Sequence, residues 1–301
     1  MQQLKKSNYP SNSFGRFWMK IPLILRSVIL GFSVSSLGVG IWVLMVTTIA
    51  PQWSVPIMAV VLVFYWMYFS GKWAPLSTQA FRSACIRQTR LKRSVWTWGL
   101  LAALSIFILM HMSWSFMFRL YEFQPEIFKT ASYLNELPAW TSWSIIVMAS
   151  LVAGICEEVG FRGYMQVPLE KKYGPVVGIS ITSVIFILVH LHQAWAGGLA
   201  AGMIIFGMSF IIGYLAYATK SLLAGIIAHV TFDIINFSYW WSDVIGTFEH
   251  KPIGMTGVDS HFIFTSIVLF LSIVLFIVSI NKLLKQKTKD SSDFNVSLAV
   301  D

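Results

Sequence analysis

The sequence predicts an all-α integral membrane protein of about eight transmembrane helices, with both termini on the cytoplasmic side. Three observations carry this expectation. Hydrophobic residues make up 56% of the 301 residues, charged residues only 12%, and mean hydropathy is +0.68, a composition foreign to soluble globular domains. Apolar runs of the roughly 20 residues needed to cross a bilayer recur along nearly the whole chain. Basic residues fall in alternate loops, as the positive-inside rule requires of a correct helix count.

The first span, 23–49, is too long for a signal-peptide core and lacks a small-x-small cleavage site, so an uncleaved helix is expected. A turn at Pro51 leads into the second, 53–70. The stretch 72–93, with Arg82, Arg87, Arg90, Lys92 and Arg93, reads as an amphipathic topology anchor lying along the headgroups. A third span covers 95–117 and completes an N-terminal group of three, 23–117. Spans at 141–162, 175–192, 197–218 and 221–241 form a four-helix core, 141–241, and the last lies at 261–281, before a polar tail over 286–301. Trp140, Trp143, Trp240 and Trp241 flank the two outer loops, 118–140 and 242–260, as interface anchors. Gly198, Gly202 and Gly207 suggest close helix packing in the sixth span. No repeat and no second domain is visible, so 1–301 reads as one membrane domain.

With the N-terminus inside, all but three of the 22 basic residues (Arg119, Lys129 and Lys251) fall on the cytoplasmic side. The net charge of +9 is therefore a topology signal, and nucleic acid is not an expected partner. Cys85 and Cys156, one in a basic loop and one in a helix, suggest neither a disulfide nor a cysteine metal site.

Three polar clusters interrupt the late apolar runs: Glu157-Glu158-Val159-Gly160-Phe161-Arg162, Phe186 to His190, and His229 to Asp233. Ionisable groups at membrane depth cost roughly 2.5–3.5 kcal/mol on insertion scales, so they are expected to face the protein interior and find partners. Helical spacing pairs Glu158 with Arg162, Phe186 with His190 and His229 with Asp233. Glu157 points about 100° away from Glu158 and is left free. A buried carboxylate beside an imidazole can take a proton from water and aim the water at a carbonyl. Glu157 is the candidate base, His190 its partner, and His229 a donor to the developing oxyanion, an interaction worth ~3–4 kcal/mol. Asp233, which accepts hydrogen bonds when ionised, is either protonated, an orienter of His229, or a ligand with Glu157, His190 and His229 to a divalent metal such as zinc. No His-Glu-x-x-His helix supports that last reading.

The order Glu-Glu-x-x-x-Arg, Phe-x-x-x-His, His-x-x-x-Asp, with 33 residues from Glu157 to His190, resembles the CAAX-protease and bacteriocin-processing (CPBP, or Abi) family, which includes the Ras-converting prenyl protease. The resemblance covers about 140–240. It implies an eight-helix intramembrane endopeptidase in which Glu157 and His190 activate water while His229 and the residue at 233 stabilise the transition state. Asn often stands at that last place in the prenyl-protein enzymes; Asp233 departs from it. The expected substrate is a peptide or a lipidated protein, and the expected setting is a bacterial cytoplasmic (inner) membrane. A proton- or cation-coupled transporter using the same polar cluster, and a silent scaffold, are the alternatives; a transporter would favour internal repeats, and none is found. His111 reads as packing, His192 as a boundary residue, and Cys156 as an inert thiol. Ser209 followed by His229 lacks the glycine of a rhomboid serine site.

Overall fold

The computed structural model describes residues 13–87, 91–121, 129, 131–192, 198–246 and 251–298, with side chains to 286. Arg90 of the basic stretch lies outside the described residues. The helices are α1 (Ser13–Lys20), α2 (Leu23–Thr48), α3 (Pro51–Phe69), α4 (Gln79–Cys85), α5 (Arg93–Leu120), α6 (Ala139–Glu157), α7 (Gln166–Tyr173), α8 (Pro175–Val189), α9 (Gly198–Thr219), α10 (Leu223–Ile235), α11 (Ile253–Thr256) and α12 (Ser260–Leu298). No strand occurs among the described residues. Proline at the first position of α3 and of α8 sets each start, because its missing N–H would have no partner there.

Six helices are long and apolar enough to cross a membrane: α2, α3, α5, the continuous segment Ala139–Tyr173, α9 and α12. The chain is a multi-pass membrane protein, and exposed Leu44, Val63, Ile267 and Phe270 belong to its apolar outer surface. Two of the eight expected spans are shorter than a bilayer: α8 has 15 residues and α10 has 13, the latter extended by a π-helical turn over Asn236–Trp240. The fourth expected span runs on to Tyr173, and α12 continues well past 281.

Ala139–Tyr173 is the axis of the bundle. Its apolar window is 61% buried, against 22–44% for the other five, because both hydrophobic cores close on it. On one side Val34, Met58, Leu62 and Tyr65 of α2 and α3 pack on Ile146, Val152 and Cys156. On the other, Ile106 and Met110 of α5 meet Phe161, Phe186, Ile212 and Phe232 from the later helices. α12 lies along α5 and closes the outside.

Glycine lets the axis approach its neighbours, but at positions other than the expected ones. A Cβ on Gly160 would lie 2.5 Å from the Gly31 carbonyl oxygen and 2.9 Å from the Ser35 nitrogen, whereas Gly198 and Gly207 face open space. In Gly160→Ala the gain in helix propensity, about 1 kcal/mol, competes with overpacking of roughly 1–3 kcal/mol. The obstructing atoms are backbone and cannot swing away, so a lowered unfolding midpoint in detergent is expected.

The basic stretch departs in part from its expected surface position. Arg82 is 3% exposed. Its guanidinium donates to the Tyr68 carbonyl, to Trp73 O at 2.6 Å and to Pro75 O at 2.8 Å. The carbonyls around the C-terminus of α3 have no helical partners, and a buried guanidinium satisfies them. Arg87 likewise pairs with Glu170 at 2.8 Å. Lys72, Lys92 and Arg93 remain exposed.

At the opposite end, Arg119 grips the start of α12. It donates to both oxygens of Asp259 at 2.9 Å and to Thr256 Oγ1 at 2.7 Å. These bonds hold the Asp259 carboxyl down at about 2. A carboxylate depressed in the folded state stabilises it above the unfolded value near 3.9 and loses that contribution as pH falls. Wild type is therefore expected to lose stability between about pH 4 and 2 more steeply than Asp259→Asn, as measured by thermal unfolding across that window.

Candidate active site

The site forms where the axis changes its winding. α6 ends at Glu157, and Glu158–Met165 continues as a π-helix, a widening that recurs at functional sites. Gly160 and Gly163 weaken the α-helical preference of this segment.

Glu158 and Arg162 are both fully buried and lie 2.9 Å apart, as the spacing predicts. Arg162 also donates to the carbonyl and hydroxyl of Ser209 at 3.2 and 3.1 Å and lies 4.7 Å over the Phe186 ring. Ser209 is thereby committed to Arg162. The third partner of this pair is absent from any local pattern. Glu158 Oε1 lies 2.9 Å from His229 Nδ1, 71 residues away. A carboxylate accepts, so Nδ1 donates and the ring is oriented, with Nε2 turned toward Asp233 Oδ2 at 3.5 Å and Glu157 Oε2 at 3.9 Å.

His190 sits at the C-terminus of α8, its Nδ1 2.8 Å from the Phe186 carbonyl. A carbonyl only accepts, so Nδ1 carries hydrogen and the neutral ring keeps its lone pair on Nε2. Phe186 fixes the ring further by stacking at 4.3 Å, and its edge-on contact to His229 is 6.4 Å between centroids. Phe186 thus stands between Arg162 and both histidines, a larger role than helical spacing alone suggests.

These groups share one cavity. Glu157, His190, His229 and Asp233 line it together with Phe186, and Met110, Trp114, Met208, Phe232 and Trp241 supply apolar walls. Water centres can occupy about 100 Å³ of it, and roughly 10–15 Å³ holds one water. Glu157 Oε2 has no hydrogen-bond partner within the protein. Asn236, one turn beyond Asp233, also lines the cavity; the sequence motifs overlook it, although its i+3 spacing on the same helix would have marked it.

The zinc alternative is not supported by this arrangement. Among the described residues no three His, Cys, Asp or Glu side chains group closely enough to hold a metal ion. Nδ1 is engaged in each histidine, by Glu158 for His229 and by the Phe186 carbonyl for His190. His111 accepts from Trp240 Nε1 at 3.3 Å and stacks on Phe107, and His192 is exposed. Cys156 packs against Gly38 and Tyr65 with no exposure. Burial pushes the Cys85 thiol up to about 12.

A helical membrane bundle with a carboxylate and two histidines around an internal cavity fits the class of intramembrane hydrolases. Residues 138–235, about a third of the chain and all of the site residues on α6 to α10, match the family described as "Type II CAAX prenyl endopeptidase Rce1-like". The match agrees with the resemblance that the three motifs carry, and it points to peptidase activity. No curated protein and no solved structure matches the chain.

Proposed function

We propose that the protein is an intramembrane endopeptidase in which Glu157 and His190 activate water for attack on a peptide carbonyl. One observation carries the reading: an unsatisfied carboxylate oxygen and two oriented imidazoles line a single cavity walled by apolar side chains. Glu157 takes a proton from the water, the oxygen attacks the carbonyl carbon, and the C–N bond breaks as that proton passes to the departing amine. His190 Nε2, with its lone pair free, holds the water against Glu157. His229 donates from Nδ1 to Glu158 and, carrying a second proton as the imidazolium, offers its Nε2–H to the oxyanion. Ionised Asp233 accepts only, so its part is to orient His229 Nε2, and the Asn236 amide offers the second donor that a carboxylate cannot.

The same reading assigns eight crossings with both termini cytoplasmic, α8 and α10 being the short ones. The apolar, aromatic walls suit a peptide flanked by large hydrophobic side chains or a lipid-modified one. A transporter would need a polar path onward from the cluster. Instead, Glu158 and Arg162 are fully buried beneath it and Phe161 is 2% exposed. The test is purified protein in detergent micelles or liposomes offered matched peptides with and without a prenyl group: wild type cleaves one or both sets and Glu157→Gln cleaves neither. Cleavage surviving in Glu157→Gln overturns the assignment of the base.

A further inference from the structure

The side from which substrate reaches the cavity follows from where its walls lie in their helices. Met110 and Trp114 come from the second half of α5, and Phe186 and His190 from the end of α8. Ile204 and Ile205 lie in the first half of α9, and Asp233, Asn236 and Trp241 at or past the end of α10. These half-helices converge on one end of the bundle. Its position is fixed by Ala131 N donating to Trp241 O at 3.0 Å and by Phe118 stacking on Trp240 at 5.0 Å. Glu157 and His229 form the floor.

Below that floor the described residues close the bundle. Arg162 and Glu158 are fully buried, Gly160 lies against Gly31, and Gly163 lies 3.0 Å (as a Cβ) from the Cys85 carbonyl. Tyr164 donates to Phe69 O at 2.7 Å, closing the turn between the axis and the end of α3.

The charges divide between the same two ends. Lys72, Lys92, Arg93, Lys171, Lys172 and Lys220 lie at the closed end. Lys282 joins them, 5.8 Å over the Trp98 ring. At the cavity end Arg119 and Lys129 are each neutralised by a carboxylate, Asp259 at 2.9 Å and Asp243 at 2.7 Å. Lys251 is the one remaining described cation there. The positive-inside rule puts the cationic end in the cytoplasm.

We propose that the cavity is entered from the non-cytoplasmic face, and that its substrate is a peptide segment exposed on that face, such as the outer flank of a membrane-anchored helix. This rests on the peptidase reading and changes its substrate class. A lipid-modified C-terminus presented from the cytoplasm meets the sealed floor, whereas a chain arriving from the other side meets Trp114, Trp241 and Ile204 before Glu157.

Single cysteines test this in the full-length protein in native membranes. The native thiols are 1% and 0% exposed and can be retained. Asn135→Cys marks the cavity end and Lys172→Cys the basic end, both at exposed positions; Trp241→Cys and Ile204→Cys report the cavity. With a membrane-impermeant methanethiosulfonate on right-side-out vesicles, Asn135→Cys and at least one cavity cysteine are expected to react, while Lys172→Cys reacts only in inverted vesicles. Cavity cysteines that react only from the side of Lys172→Cys, or never from the side of Asn135→Cys, overturn the proposal, as does Lys172→Cys reacting in right-side-out vesicles. Labelling needs no turnover, so a wrong face shows here, while wrong chemistry shows as cleavage that survives Glu157→Gln.

Discussion

Glu157→Gln is expected to lower peptide cleavage by about 10²–10⁴-fold, the contribution typical of a positioned general base, with little change in thermal stability. The asymmetry follows from its surroundings. Glu157 Oε2 makes no hydrogen bond within the protein and its side chain is 14% exposed to the cavity, so exchanging the carboxylate for an amide breaks no internal bond. Gln cannot accept a proton at neutral pH, and the water loses its base. Turnover rate and unfolding midpoint on the same preparation check this; a large stability loss would mean that Glu157 is a packing residue.

The opposite outcome is expected one residue on. Glu158 is fully buried between Arg162 and His229, 2.9 Å from each. Removing one partner of a buried ion pair leaves an uncompensated charge and costs about 3–5 kcal/mol, whereas replacing both by apolar groups of similar size can be close to neutral. Glu158→Leu should therefore unfold readily or express poorly, and Glu158→Leu with Arg162→Met should recover much of the stability. The double variant should still cleave poorly, because His229 Nδ1 has lost the acceptor that orients its ring. Unfolding midpoints of the single and double variants, with cleavage rate measured on the double, separate the two roles. A double variant as unstable as Glu158→Leu would show that the pair is not the source of the stability.

Much of this arrangement was legible in the residues themselves. Apolar runs located the helices to within a few residues for α2, α3, α5 and α9, because those helices face a continuous apolar surface and their composition reports it. The axis helix runs past the run 141–162 to Tyr173: Glu158, Arg162 and Gln166 are enclosed by protein, and hydropathy cannot distinguish that from leaving the bilayer. The i,i+4 rule found Glu158–Arg162 but not His229 as the third member, since a contact across 71 residues has no local signature. The close glycines failed for a similar reason. Gly31 and Gly160 are paired by tertiary approach, while Gly198 and Gly207 of α9 face open space. Arg82 looked like a headgroup anchor from its amphipathic setting; the Tyr68, Trp73 and Pro75 carbonyls that claim it converge only once α3 ends where it does.

The brevity of α8 has a consequence for the surrounding lipid. Its 15 residues rise about 22 Å, some 8 Å less than a typical hydrocarbon layer of ~30 Å. On the proposed reading of eight crossings, acyl chains beside it shorten or a dimple forms at the His190 end. Either deformation brings headgroup hydration down to the rim of the hollow. On the same reading the bilayer itself wets the cavity, and the proposed hydrolysis needs no long aqueous conduit through the protein.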